Sequence, residues 1–251
     1  MIGTAPGPAC NAGGMASPEE PPGSVTVWWA RPLDPDTHPG LVALLDDHER
    51  ARMAAFRTPD DRRRYLAAHA LARLVLAAHL GTDPARIAMD RTCRCGEQHG
   101  KPTLAASPEA PGFSLTHSGE LVGVALGPGA VGLDVERQRR IGVDGLADHV
   151  LSDAERGTLP DEAAILVTWT RKEALLKATG DGLSGPMTAI TLGSPLAEAH
   201  VRAWTGAHAP RGPVWVRDLR TPLADHPAAV AGFGPFVPDL RAGDGDAVLA
   251  C

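Results

Sequence analysis

Two carboxylates separated by one residue stand in an otherwise apolar segment that runs from Val131 to Glu136. In a β-strand, side chains alternate between the two faces, so Asp134 and Glu136 would share one face, about 7 Å apart. Carboxylate oxygens suit Mg²⁺, which completes its coordination with water and substrate phosphate. The pair therefore predicts a magnesium site, with solvated acids on an exposed strand as the alternative.

A later segment, from Trp169 to Lys177, has the spacing of a helix. Trp169, Glu173 and Lys177 follow one another at every fourth residue and therefore form one stripe. A solvated Glu–Lys surface pair is the simplest explanation. Apolar neighbours such as Leu175 and Leu176 indicate that much of the helix is buried, however, so its charges need partners. Glu173 could then join the two acids, and Lys177 could hold a phosphate.

A third candidate is the end of the segment from Phe113 to Ser118, whose alternating pattern predicts a strand. There an imidazole and a hydroxyl come together, and His117 could donate a hydrogen bond to a phosphate. A structural or solvated histidine is the alternative, because imidazole serves many roles.

Three other patterns carry no functional prediction. The segment 127–132 matches G-x-G-x-x-G, but it leads into a strand, whereas a dinucleotide-binding motif opens a helix. Cys93, Cys95 and His99 are closely spaced and lack the fourth ligand that zinc sites usually have. No G-x-S-x-G motif is present, so a serine hydrolase has no support.

Taken together, the segments 131–136 and 169–177 resemble the paired signatures of the 4′-phosphopantetheinyl transferases. Three further features follow the family's order: Gly100-Lys101-Pro102, Leu115-Thr116-His117-Ser118 and the turn Gly180-Asp181-Gly182-Leu183. The likeness covers roughly residues 40–193. The pattern is similar to the monomeric type that activates peptide and polyketide synthases of secondary metabolism.

This resemblance implies a metal-dependent site for coenzyme A. Asp134, Glu136 and Glu173 would hold Mg²⁺, with Mn²⁺ as a substitute, on the pyrophosphate of the coenzyme. Lys172 would be a further phosphate-binding or proton-handling group. The coenzyme itself would be bound by Arg52 and Arg64 at the 3′-phosphate, by Lys101 and Pro102 beside the adenine, and by His117, Ser118 and Lys177 around the phosphate oxygens.

The implied reaction is attack by a serine hydroxyl of an apo acyl or peptidyl carrier protein on the β-phosphate of coenzyme A, with release of 3′,5′-ADP. Catalysis would come from positioning and from charge neutralisation. The candidates for the group that takes the serine proton are Glu173, a metal-bound water or hydroxide, and Lys172. The catalytic residues would thus be Asp134, Lys172, Glu173 and Lys177.

Carrier proteins are often acidic around the modified serine, so Arg137, Arg139 and Arg140 could receive the carrier. A solvated basic turn is the alternative for these residues. Two other functions stay open for the whole chain. One is a noncatalytic carrier-binding module of the same fold, and the other is a different Mg²⁺-dependent enzyme that processes phosphodiesters.

The elements that must position these residues are predicted from the periodicity of apolar residues. We expect helices at 41–56, 62–80, 144–159 and 161–179, with Asp60 as a cap and with Gly81 and Gly180 as stops. We expect strands at 25–29, 113–116, 121–126, 131–136, 187–192, 199–204, 213–219 and 227–233, with a hairpin turn at Gly127-Pro128-Gly129.

Helices followed by strands occur twice, which predicts an α+β chain of two similar α/β halves, at 24–128 and 129–238. No convincing internal sequence repeat accompanies this order. The resemblance adds a pseudo-twofold axis, with the active site in the cleft between the halves. A disordered leader at 1–23 and a loose tail at 239–251 complete the expected organisation.

The 251 residues carry a net charge of −6, with 43% hydrophobic and 22% charged residues. This composition is typical of a folded protein and argues against a general nucleic-acid binder. No apolar run reaches the roughly 18–20 residues of a membrane span, and no signal-peptide pattern is present. Four cysteines do not make a disulfide framework for this length. We therefore expect a cytoplasmic protein with reduced thiols.

Overall fold

The computed structural model describes residues 23–93, 96–98, 100–104, 110–138, 143–157, 161–180 and 185–251. Most of the expected leader lies outside these residues. So do Arg139 and Arg140, the candidate zinc ligands Cys95 and His99, and the turn that follows Gly180. Within the described ranges, no helix is long and apolar enough to cross a membrane.

The described chain has a mixed α+β fold with six helices and several sheets. The helices are α1 (Pro39–Leu44), α2 (Asp47–Ala54), α3 (Pro59–Leu80), α4 (Val143–Val150), α5 (Glu162–Thr179) and α6 (Gly245–Leu249). The strands are β1 (Ser24–Ala30), β2 (Met89–Asp90), β3 (Thr103–Leu104), β4 (Gly112–Ser118), β5 (Leu121–Gly127), β6 (Val131–Val135), β7 (Ile190–Leu192), β8 (Val201–Trp204), β9 (Val214–Leu219), β10 (Ala228–Phe233) and β11 (Asp239–Asp244).

Two larger sheets, each covered by one long helix, form the body of the described structure. The first sheet has the strand order β11-β1-β5-β4, and the second has the order β6-β10-β9. Helix α3 packs on β4 and β5, and α5 packs on β6 and β10. Two small antiparallel pairs, β2 with β3 and β7 with β8, lie beside them.

Each long helix begins with a polar cap and ends at a glycine. The side chains of Thr58 and Asp161 accept backbone hydrogen bonds from the first turns of α3 and α5. Gly81 and Gly180 end these helices with φ angles of 62° and 81°, which a residue without Cβ adopts at little cost. Both predicted stops are confirmed, and the cap predicted at Asp60 is Thr58.

The two larger sheets meet along β4 and β6 through side chains instead of a backbone ladder. The hydroxyl oxygens of Ser114 and Thr116 accept hydrogen bonds from the amides of Leu133 and Val135, at 3.0 and 3.1 Å. The alternate residues of β4, such as Phe113, pack into the core beneath α3. The ends of β4 and β6 are therefore held side by side.

Helix α5 approaches β6 very closely at Gly132. A Cβ atom added there would overlap the carbonyl oxygen of Ala174 and lie 2.5 Å from the amide nitrogen of Ala178. The absence of a side chain at Gly132 thus sets the spacing between strand and helix. It also sets the distance between Asp134 on the strand and Lys177 on the helix.

The helix expected at 41–56 is in fact two short helices, α1 and α2. The chain is extended at Leu45, and the side chain of Asp46 then accepts a hydrogen bond from the amide of Glu49. Glu49 bonds back to the amide of Asp46, which completes a capping box and starts a new helix. The helix expected at 144–159 is also shorter, since α4 ends at Val150.

The structure also differs from the hairpin and the loose tail that were expected from the sequence. The hairpin consists of β4 and β5, while the Gly127-Pro128-Gly129 turn carries the chain from the first sheet to the second. The segment 239–251 is not a loose tail, because β11 pairs in parallel with β1 and α6 packs on α3. The amide of Arg31 also bonds to Asp246, 215 residues further along the chain. Contacts this distant leave no local pattern in the sequence.

Candidate active site

Asp134 lies buried in β6, at the junction of the two sheets. Its Oδ1 accepts hydrogen bonds from Lys177 Nζ at 2.7 Å and from Thr116 Oγ1 at 3.3 Å. Its Oδ2 is buried and has no hydrogen-bond partner among the described residues. Burial raises the pKa of Asp134, while the Lys177 ammonium opposes that shift. A buried carboxylate oxygen without a partner indicates room for a further positive ligand.

Glu173 approaches Asp134 from α5. Only 6% of the residue is exposed, and Oε1 has no partner in the part of the chain that the structure describes. Burial and the negative charge of Asp134 raise the pKa of Glu173 to about 7, Glu136 adds to this rise, and Lys177 opposes it. A carboxyl group with this pKa can accept a proton near neutral pH.

The raised pKa of Glu173 leads to a prediction about the metal-free protein. Its contribution to the free energy of unfolding is fully present below the ordinary pKa of 4.5 and is lost as the pH rises through about 7. At pH 8 the Glu173→Gln variant should therefore exceed the wild type in stability by up to about 3 kcal/mol, and at pH 4 the difference should vanish. Urea denaturation of both proteins at the two pH values measures this, and a pH-independent difference would contradict it.

Glu136 and Ser118 form the outer part of the acidic group. Ser118 Oγ donates to Glu136 Oε2 at 2.7 Å and accepts from the amide of Arg137 at 3.0 Å. The end of β4 thus orients the third carboxylate. The predicted contact of Ser118 with a coenzyme stays a prediction.

The three acids do not form a complete metal cage by themselves. In the described ranges, no group of three or more His, Cys, Asp or Glu side chains is arranged as a ready metal cage. The buried oxygens without partners, on Asp134 and Glu173, nevertheless fit a cation. Mg²⁺ is usually held by one or two carboxylates together with substrate phosphates, so an incomplete protein cage is the expected form of such a site.

Cationic side chains lie next to these acids. Lys101 Nζ donates to the carbonyl of Val131 at 2.6 Å, and burial together with the charge of Lys177 lowers its pKa to about 8. His117 is exposed to solvent on one side, and the protein packed around its other side, together with Lys177 and Arg64, lowers its pKa to about 4. Each cation disfavours charge on the next, so the group is suited to a polyanion.

Arg64 and two other predicted coenzyme contacts flank this group. Arg64 donates to the carbonyl of Gly119 at 3.1 Å, in the turn that follows His117 and Ser118. Pro102 is half-buried. Arg52 is exposed near the end of α2, where its guanidinium lies 5.5 Å from the centre of the Phe56 ring. The roles of these residues at a coenzyme stay predictions.

Lys172 does not fit its predicted role. It is fully buried, and its Nζ donates to Glu155 Oε2 at 2.5 Å, to the carbonyl of Val150 at 2.7 Å and to that of Met187 at 3.2 Å. One residue of helix turns a side chain by about 100°, so the neighbour of Glu173 points into the core instead of the site. Lys172 is a structural residue.

A buried ion cluster beneath α3 was not expected from the sequence. It consists of Asp46, Glu49, Arg73 and Arg91. Glu49 accepts from Arg73 Nε at 2.6 Å and from Arg91 Nη2 at 2.7 Å, and Asp46 accepts from Arg73 Nη2 at 2.7 Å. The capping-box spacing from Asp46 to Glu49 was the one local signal for it.

The buried acids and the lysines beside them are suited to a phosphate-bearing ligand, and the comparisons with known proteins define the class of protein. Residues 130–230 match the family model described as the 4′-phosphopantetheinyl transferase superfamily. Residues 31–128 match the model described as 4′-phosphopantetheinyl transferase, N-terminal. Both matches agree with the resemblance seen in the sequence.

Similar proteins carry the same description. The chain is 34% identical to the 4′-phosphopantetheinyl transferase HetI of a Nostoc species, over 62% of this chain and 69% of that protein. It is 25% identical to the 4′-phosphopantetheinyl transferase Sfp of Bacillus subtilis, over 66% of this chain and 74% of that protein. The chain belongs to the 4′-phosphopantetheinyl transferase family and is a transferase of this type.

Proposed function

We propose that the protein transfers the 4′-phosphopantetheine group from coenzyme A to a serine of an apo acyl or peptidyl carrier protein, with Mg²⁺, and releases 3′,5′-ADP. The observation that carries this proposal is the proximity of the buried acids Asp134 and Glu173, with Glu136 beside them, to the cations Lys177 and Lys101 at the junction of β4, β6 and α5. A pyrophosphate bound through a metal ion requires both kinds of charge.

We further propose that the chain forms two similar halves related by a pseudo-twofold axis, with the coenzyme in the cleft between them. The strand order β1-β5-β4 corresponds to β6-β10-β9 in support of this arrangement. The long helices α3 and α5 each carry a buried cation, Arg73 or Lys172, that bonds to a buried glutamate, Glu49 or Glu155. Thr116, Asp134 and Lys177, on β4, β6 and α5, contact one another where the two sheets meet.

Asp134, Glu136 and Glu173 are the residues that would hold the metal ion. When bound, Mg²⁺ neutralises charge on the pyrophosphate of the coenzyme. Lys177 already neutralises one oxygen of Asp134, so the protein leaves the other oxygen of this residue and Oε1 of Glu173 for the metal.

Glu173 is the best candidate for the group that accepts the proton of the carrier serine. Its pKa is about 7 in the metal-free protein, and while one carboxylate oxygen holds the metal the other stays able to accept a proton. We do not propose Lys172 for this role, since its ammonium group donates a hydrogen bond to Glu155 in the core. Lys177 and Lys101 would stabilise charge on the phosphate oxygens.

Of the three arginines expected to receive the carrier, Arg137 lies within the described residues, and its position supports a carrier with an acidic surface. It follows Glu136 directly, is half exposed, and lies 3.9 Å from Asp225, a weak and exposed pairing. An acidic surface on the carrier could replace that pairing and bring its serine to the metal acids.

The reaction is tested by incubating the protein with coenzyme A, Mg²⁺ and a panel of apo carriers, followed by mass spectrometry of the carriers. We expect a gain of one phosphopantetheine group on a carrier, no gain when the carrier serine is replaced by alanine, and loss of transfer after EDTA that added Mg²⁺ restores. Carrier binding without modification would instead favour a noncatalytic module. Breakdown of coenzyme A without a carrier would favour a different phosphodiester-processing enzyme.

A further inference from the structure

His69 lies on α3 in a fixed orientation. Its Nδ1 is 2.9 Å from Oε1 of Glu49, and its ring stacks on Tyr65 with centroids 3.9 Å apart and planes 21° apart. Glu49 is ionised, since its pKa is about 2, and a carboxylate can only accept. Nδ1 is therefore the donor in this bond, which is the one hydrogen bond that the ring makes among the described residues, and the other ring nitrogen, Nε2, stays available to a ligand.

The ring of His69 leans toward the end of α3 that carries Arg64. Side chains on a helix tilt toward its N-terminus, and the stacking on Tyr65, one turn earlier, shows that His69 follows this rule. Phe113 and Leu115 on β4 pack into the core beneath α3, so the alternation of the strand turns His117 toward the same helix. After burial and Lys177, both Arg64 and His69 contribute to the lowered pKa of His117, which agrees with this placement.

The ion cluster beneath His69 is already balanced in charge. Its two carboxylates, on Asp46 and Glu49, face two guanidiniums, on Arg73 and Arg91. Because Nδ1 already carries the proton that it donates to Glu49, a second proton on Nε2 makes the ring of His69 a cation. The cluster has no carboxylate left to balance this positive charge. A phosphate monoester is an anion that can supply the missing negative charge and accept from Nε2.

We propose that His69 is a further specificity-determining residue of the coenzyme site, where its Nε2, oriented by Glu49, donates a hydrogen bond to the 3′-phosphate. The inference rests on the proposed function and extends it to a residue outside the motif segments. The 3′-phosphate is chosen over the pyrophosphate because Asp134, Glu173 and Lys177 form the opposite end of the site. His69 lies on the helix that carries Arg64.

Calorimetric titration with two nucleotides tests this contact without any need for turnover. 3′,5′-ADP carries the 3′-phosphate, and 5′-AMP lacks it. In His69→Gln, we expect binding of 3′,5′-ADP to weaken by about tenfold or more, the scale of one charge-assisted hydrogen bond, while binding of 5′-AMP changes less than about twofold. The matched control is His79→Gln, an exposed histidine on the same helix, which should leave both affinities unchanged.

A second variant keeps the test decisive if His69→Gln folds poorly. His69→Arg retains a positive charge and a donor to Glu49, so its preference for 3′,5′-ADP over 5′-AMP should equal or exceed that of the wild type. Equal losses for both nucleotides in His69→Gln, or a lost preference in His69→Arg, would overturn the proposal. The wild type can fail to modify any carrier while this preference holds. That result would overturn the proposed function and leave the role of His69 standing.

Discussion

Replacing Glu173 with glutamine is expected to lower the rate of phosphopantetheine transfer by at least about 10²-fold, the scale of losing a general base or one preorganised charge contact. The amide cannot accept the serine proton, and it is a weaker ligand for Mg²⁺ than a carboxylate. The rate of mass gain on a carrier, at saturating coenzyme A and Mg²⁺, measures the effect. Near-wild-type turnover would refute the assignment of Glu173.

The control for this variant is Glu162→Gln, in the exposed first turn of the same helix. It removes the same charge from α5 without touching the site, so its turnover should match the wild type. Unfolding would not explain a loss in Glu173→Gln. A neutral glutamine avoids the cost of burying a negative charge, which is the cost that raises the pKa of Glu173.

Replacing Gly132 with alanine is expected to cost about 3 kcal/mol or more of unfolding free energy, at or beyond the upper end for overpacked cores. The added methyl group would collide with backbone atoms of Ala174 and Ala178, which cannot rotate away as a flexible side chain could. Helix α5 must then move back from β6. The 2.7 Å bond between Lys177 and Asp134 should lengthen or break, and transfer activity should fall as well.

Gly129→Ala is the matched control for Gly132→Ala. A Cβ atom added at Gly129 has no atom of the described residues within 4 Å, although the position lies only three residues earlier. Urea denaturation should show a stability within about 0.5 kcal/mol of the wild type for this control. Equal stability of the two variants would show that Gly132 does not set the spacing of helix and strand.

The part of the site that could be predicted from the sequence is the part with local periodicity. Val131, Leu133 and Val135 do pack in one core while Asp134 lies at the junction, as strand alternation requires. Glu173 also reaches the acids from the helix that was predicted for it. In each case the spacing within one element determines which side chains share a face.

Features that depend on distant partners could not be predicted in this way. Lys172 and Glu173 are neighbours in the sequence, and only the bond to Glu155, 17 residues earlier, shows that Lys172 belongs to the core. Likewise, no spacing within α3 indicates that Arg73 would be buried against Glu49 on another helix. Helical periodicity gives the direction of a side chain, but its partner is set by tertiary packing.

The parallel pairing of β1 with β11 has a consequence for how the protein is made. During synthesis β1 leaves the ribosome early, but the strand that flanks it appears only after the whole second sheet has been translated. The first sheet can therefore be finished only once the second exists, and its closing contacts join residues as far apart as Arg31 and Asp246. Long-range pairing of this kind slows folding. A nascent chain would thus carry β1 with one unpaired edge for most of its translation.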